Sequence, residues 1–327
     1  MIDTPPLPGL AAVRGITVGH FTDSQAGTGC TVVLAPPGGM RASVAARGRA
    51  TGTRELDALD PRHLVGHVDA ILLTGGSANG LGAADGVMRW LRERNRGFPV
   101  RPVGVVPIVP TAVIFDLGNT GTTVRWPGPD EAARACDAAS AEIAEGSVGV
   151  GTGATVGKAA GIAGAMKGGV GTWAVRAGDV VVGALVVVNA VGDVRDARGE
   201  ILAGGRGPDG GPVDGLRYLA EGRAPFGAGE RATNTTLAVV ATNAALSKLE
   251  LQSLAQVASD ALARRITPYG TLFDGDVVFA ASTADVTAAS PLQPEALAAL
   301  AVPEAVERAV RLARGTSRVP GLADARP

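Results

Sequence analysis

Asn234-Thr235-Thr236 stands immediately before the apolar run Leu237-Ala238-Val239-Val240-Ala241, at the end of a long polar, glycine-rich stretch. A hydroxyl residue that enters a strand from such a loop can do chemistry closed to an ordinary threonine. The hydroxyl alone is a poor nucleophile near neutral pH. Cutting the Asn234–Thr235 bond would give one residue both the attacking oxygen and an α-amine that titrates at about 7.7 to 8. That amine takes the hydroxyl proton from within the same residue, so no histidine is needed. The plainer readings are a strand start, threonine being a good strand former, and a glycosylation sequon. The sequon loses weight because residues 1–6 lack the basic and continuous apolar regions of a secretory signal.

Downstream, Asp274 and Asp276 flank Gly275 just ahead of a second apolar run, Val277-Val278-Phe279-Ala280. Side chains alternate across a strand entry, so the two carboxylates need not point the same way, and a turn pair is their plainer reading. Lys158 ends the glycine-rich stretch 149–158. That stretch is no Walker loop: Thr152 stands where the first glycine is required and Ala159 follows the lysine. It also follows a helix-like segment, whereas a dinucleotide loop follows a strand. Asn189 closes the run Val181–Val188, where it either makes a turn or directs an amide at an oxyanion. The segment Thr74-Gly75-Gly76-Ser77-Ala78-Asn79-Gly80 reads as a strand-to-helix turn with backbone amides facing a substrate, Ser77 and Asn79 being candidate pocket residues. Without a GxSxG elbow, Ser77 is not read as a nucleophile.

These segments, with Ala83-Ala84-Asp85-Gly86-Val87 and the stretch 107–117, occur in the order in which the DmpA-like N-terminal nucleophile hydrolases carry theirs. The chain resembles that family, which includes β-peptidyl aminopeptidases and self-processing nylon-oligomer hydrolases, and is most similar to the nylon-oligomer branch. The resemblance covers most of the chain. It implies a four-layer αββα sandwich of the DmpA and ornithine-acetyltransferase type, self-cleavage between Asn234 and Thr235, and chains 1–234 and 235–327 that stay together. Thr235 then corresponds to the processed nucleophile, Lys158 to a lysine near it, Asn189 to an oxyanion-side amide, and Asp274 and Asp276 to supporting acids. Phe115 departs from the pattern, since better-known relatives place a tyrosine there. Without that hydroxyl one donor is missing, and Phe115 is expected to line the pocket. A homo-oligomer is also implied.

The expected activity is amide hydrolysis on small peptides, β-peptides or ω-amino-acid oligomers through an acyl-enzyme, with no metal or organic cofactor. Acyl transfer of the ornithine-acetyltransferase kind is the second enzymatic reading. An unprocessed, non-catalytic binding protein is the third, motivated by Phe115.

Composition fits a soluble, cytoplasmic enzyme: 327 residues, 46% hydrophobic and 19% charged, with a formal charge of −1. Interspersed signs argue against a nucleic-acid footprint or a basic membrane surface. No run approaches the roughly 18 to 20 apolar residues that span a bilayer. Cys30 and Cys136 form no CxxC pair and read as inert buried thiols. His63 and His67 lack the glutamate of HExxH and read as a surface pair.

With aromatics at 3%, valine, alanine, leucine and glycine must build the core. Hydrophobic spacing predicts strands over 31–34, 103–109, 179–188, 236–242 and 276–282, and helices over 81–95, 131–145, 247–265 and 303–313. Runs 181–188 and 236–242 are apolar on both parities, as strands covered on both faces must be. One domain is the simplest division. Residues 193–233 read as a mobile polar loop before the nucleophile, and 314–327 as a disordered tail.

Overall fold

A computed structural model describes residues 2–3, 7–223 and 234–325. Two sheets lie face to face between two helical layers. The larger has the order Ile2–Asp3, Gly169–Ala177, Val180–Asn189, Thr235–Ala244, Val277–Val286, Arg41–Ala46. The smaller has the order Thr17–Asp23, Thr28–Leu34, Ala70–Thr74, Thr111–Val113, Thr53–Arg54.

Alternation along the central strands explains the layering. Ala238 and Val240 face outward onto the helices Lys248–Leu262 and Leu292–Arg311, with Val186, Val278 and Leu254 in the same cluster. Leu237, Val239 and Ala241 face inward, against Val33, Ile71 and Leu73 of the smaller sheet. A third cluster joins Val32 and Leu72 to Val87, Leu91 and Ala135 of the helices Ala84–Glu93 and Pro129–Asp137. Three apolar layers between two sheets and two helical layers make the αββα sandwich that the both-parity runs demand.

Topology then delivers the site. Thr235–Ala244 and Val277–Val286 are neighbours and parallel, with Leu237 opposite Val277, so both strands begin at the same end of the sheet. The connection between them includes the helix Lys248–Leu262, which starts where Ser247 Oγ accepts the Glu250 amide and Glu250 returns a carboxylate to the Ser247 amide. Val180–Asn189 runs antiparallel to Thr235–Ala244, which brings its last residue, Asn189, opposite Thr235.

Several sequence expectations change. The helix expected over 131–145 stops at Asp137, because the chain turns back to pair Ser140 with Val18 and sends Glu145 to Arg308 and the Thr172 amide. The strand expected over 103–109 shrinks to Gly104–Val106, which pairs with Phe98–Val100; Thr111–Val113, beyond the expected run, joins the smaller sheet. Pro107 and Pro110, which have no N–H to give a ladder, mark the break. The last helix begins at Leu292 and carries Pro303 inside it, held by a face that buries Leu297, Ala301 and Val306.

Residues 193–223 are no plain loop either. Short strands and the helix Gly215–Ala220 are tied together by buried Asp193, whose carboxylate accepts the amides of Gly205 and Gly215 at 3.0 and 2.7 Å. Residues 224–233, the rest of the expected mobile loop, lie outside the described residues. The tail is tied down as far as Asp324: Pro320 O accepts the Lys167 amide, and Asp324 accepts the Gly315 amide.

Candidate active site

Thr235 is buried at the first position of its strand. Its Oγ1 donates to the Asn234 carbonyl oxygen at 2.6 Å, and the Gly275 N–H donates to that same oxygen at 2.8 Å. The carbonyl of the Asn234–Thr235 bond therefore has the hydroxyl on one side and a fixed backbone donor on the other. An N–H already aimed at a carbonyl oxygen stabilises the charge that develops there on attack, without reorganising. Gly275 owes its identity to this approach. A Cβ at that position would lie 2.8 Å from both Thr235 Oγ1 and the Ala50 carbonyl oxygen. Gly275→Ala is expected to slow cleavage at Thr235 by about tenfold or more and to lower the melting temperature by a few degrees, because the added carbon meets the fixed Ala50 carbonyl. Gel time courses check this.

The two acids act from behind. Asp276 Oδ1 accepts the Thr236 amide at 2.5 Å and Oδ2 the Gly270 amide at 3.0 Å. Asp274 Oδ2 accepts the Thr271 amide at 2.8 Å, and its backbone bridges Asn234. Burial raises the pKa of both carboxyls, and for Asp276 the Asp274 charge raises it further. Two carboxyls so placed favour retaining a proton between them.

Lys158 is buried, and its Nζ donates to Asn189 O at 3.0 Å and to Asn189 Oδ1 at 2.9 Å. Burial lowers its pKa to about 7, against the pull of Asp274 and Asp276 in the other direction. Burial and the two acids thus pull this lysine in opposite directions, one strand from the threonine. The expectation of an Asn189 amide directed at the oxyanion is not what the structure places: Asn189 Nδ2 donates to the Phe115 carbonyl at 3.2 Å, while Oδ1 takes Lys158 and the Thr155 amide. The donor on the Asn234 carbonyl is Gly275 instead. Asn189 serves as the joint between the lysine and the pocket wall.

A cavity of about 190 Å³ opens beside the threonine. Ser77 and Phe115 line it, together with Ala78, Val113 and Phe273. Asn79 is exposed and is not among the lining residues. A larger hollow of about 450 Å³ near Arg94 and Phe98 contains none of the groups that could do this chemistry.

Sequence reasoning passed over three contributors. Gly275 acts through its backbone, and its signal was a glycine held between two acids. Asp116 is buried and takes Thr28 Oγ1 at 2.7 Å and the Gly76 amide at 2.8 Å, which fixes the turn before Ser77, itself at φ 53°. Burial raises its pKa to about 6. Lys167, also buried, donates to the carbonyls of Gly151, Thr152 and Ala154 at 2.8 to 3.2 Å. Nothing in the sequence separates these two charges from solvated ones.

The other polar candidates sit apart. His63 and His67 are exposed and not helical, and His20 is half-buried, with its pKa lowered to about 4 by desolvation of its ring. Cys30 and Cys136 are buried free thiols whose pKa values burial raises. Among the described residues no group of three or more His, Cys, Asp or Glu side chains could hold a metal, and no helix is long and apolar enough to cross a membrane.

Known proteins match most of the chain. The model for peptidase family S58 matches residues 9–317. An uncharacterised aminopeptidase of Mycobacterium tuberculosis is 47% identical over 288 residues, covering 84% of this chain and 81% of its own. A 6-aminohexanoate-oligomer endohydrolase of a Kocuria species is 34% identical over 283 residues, covering 83% and 74%. Among solved structures, the L-aminopeptidase D-Ala-esterase/amidase of Ochrobactrum anthropi, described as a variant of the Ntn hydrolase fold, superposes with a TM-score of 0.70 at 21% identity. It covers 97% of this chain and 90% of that one.

Proposed function

The chain belongs to peptidase family S58 and hydrolyses amide or peptide bonds, and from that membership we propose that it is a self-processing hydrolase whose nucleophile is an amino-terminal Thr235. The observation that carries the reading is the convergence of Thr235 Oγ1 and the Gly275 N–H on one carbonyl oxygen, that of Asn234.

In maturation, Thr235 Oγ1 attacks the Asn234 carbonyl carbon and its proton passes to the departing Thr235 nitrogen. The acyl group moves from nitrogen to oxygen. Water then hydrolyses the ester, leaving Asn234 as a carboxylate and Thr235 with a free α-amine. The single hydrolase domain becomes chains 1–234 and 235–327, held together because strands of both share the larger sheet. In turnover the α-amine takes the hydroxyl proton and Oγ1 attacks a substrate amide. The leaving amine receives that proton, and water releases the acyl group from the ester. Lys158 lowers the pKa of the new amine by charge repulsion, which keeps it a usable base. Asp274 and Asp276 hold the strand entry and balance the lysine. The substrates in this reading are small peptides, β-peptides or ω-amino-acid oligomers.

Chelators and thiol reagents should leave hydrolysis of a chromogenic amide unchanged, while acylation of the Thr235 amine in the cut protein should abolish it. Loss of activity on metal removal would contradict the reading. Cytoplasmic location and assembly into a homo-oligomer belong to the same proposal. Light scattering should report more than one copy, and a monomer across a wide concentration range would remove that part.

A further inference from the structure

The hollow of about 450 Å³ near Arg94 and Phe98 lies away from the nucleophile. Asp69, on its wall, precedes the strand Ala70–Thr74, whereas the turn that carries Ser77 to the active-site cavity follows that strand. The strand's length, roughly 17 Å, separates the two. The hollow has the size of a small-molecule site. Two opposite charges line it without meeting. Asp69 is 8% exposed, and its Oδ2 accepts the Ile108 amide at 2.9 Å. Arg96 is half-buried, and its guanidinium donates to the Ala35 carbonyl. Ala35 is the joint between them, since its own amide donates to the Asp69 carbonyl at 3.0 Å.

Neither group forms an ion pair among the described residues. Burial raises the pKa of the Asp69 carboxyl and lowers that of the Arg96 guanidinium, and each only partly offsets this for the other across the gap. Both side chains are anchored, yet Asp69 Oδ1 and most of the Arg96 N–H groups have no protein partner among the described residues. A fixed, desolvated charge without a partner costs stability, and a ligand of the opposite charge recovers it on binding. Arg94 is taken, because it stacks on the Trp90 ring at 3.9 Å and faces Asp137 at 3.6 Å. Pro37, Phe98 and Pro99 supply apolar wall suited to methylenes.

We propose that this hollow binds an amino acid as its zwitterion, the ammonium on Asp69 and the carboxylate on Arg96, in a site separate from the catalytic one. A simple anion would leave Asp69 unpaired and a simple amine would leave Arg96 unpaired, so a molecule with both charges fits where neither does alone. The guanidinium presents parallel N–H groups, the geometry that a carboxylate accepts. Amino acids are also what the proposed hydrolysis releases. The inference stands on these two side chains and does not require Thr235 to be the nucleophile.

Calorimetric titration of the purified protein with glycine, β-alanine and 6-aminohexanoate, whose charges are spaced differently, tests it against propionate and propylamine, which carry one charge each. At least one of the amino acids should bind about tenfold or more tightly than both single-charge compounds. Asp69→Asn, which keeps an oxygen for the Ile108 amide, and Arg96→Gln should each weaken that binding by about tenfold or more. Arg96→Lys, which keeps a cation, should retain part of it, and Thr235→Ala should leave it unchanged. Should Asp69→Asn fail to fold, Arg96→Gln carries the test alone. No binding of any amino acid, or propionate binding as tightly as the best of them, would overturn the proposal. Binding that survives Arg96→Gln and is lost in Thr235→Ala would place the amino acid in the catalytic site, overturning the proposal while leaving the hydrolase reading intact.

Discussion

Thr235→Ala is expected to remain one uncut 327-residue chain and to lose amide hydrolysis by about a thousandfold or more, the scale seen when a covalent nucleophile is removed. The loss should be chemical and not structural. Among the described residues the Thr235 hydroxyl bonds only to its own neighbour's carbonyl, while the strand is held by its ladder and by Leu237, Val239 and their partners. Unfolding by denaturant should move by no more than about 1 to 2 kcal/mol. Thr235→Ser keeps the hydroxyl and should keep cleavage. A cut and active Thr235→Ala protein would exclude this residue as nucleophile.

Lys158→Met carries the second large effect. Methionine has a similar length and volume, but it leaves the buried Asn189 acceptors without the lysine donor and Asp274 and Asp276 without their neighbouring cation. Melting temperature should therefore fall modestly with the fold kept. Cleavage at Asn234 should nevertheless slow by about a hundredfold, because the new side chain cannot hold Asn189 O and Oδ1 and supplies no positive charge beside the developing amine. Time courses of the uncut band, read beside a melting curve, separate the two consequences. A variant that cleaves at the parental rate would confine Lys158 to packing.

What the sequence shows and what it hides divide along physical lines. Thr235 was legible because a hydroxyl residue stood between a polar stretch and an unbroken apolar run, and the acids because they stood before a second such run. The double coverage of both runs was legible too, since both parities are apolar. That these strands are parallel, so that their entries adjoin, was not: the pairing is set by a crossover whose direction leaves no residue signature. The Gly275 donor is a backbone group and has no side chain to read. Lys158 entered through resemblance, while Lys167 and Asp116 passed unnoticed, because a charged side chain announces its burial only once three carbonyls or a threonine hydroxyl are seen around it. The Asn189 amide was assigned a direction that depended on which neighbour faced it, and that neighbour is the Phe115 carbonyl. Where local pattern failed, as in the expected strand over 103–109, Pro107 and Pro110 were visible in the sequence and outweighed the valines around them.

Intact-mass spectrometry of the freshly purified protein, followed over time and joined to amino-terminal sequencing, tests the central claim most directly. Two chains corresponding to residues 1–234 and 235–327, the second beginning with threonine and appearing in step with amide-hydrolysing activity, is the predicted result. A folded protein that hydrolyses amides while its mass remains that of one uncut chain would contradict it.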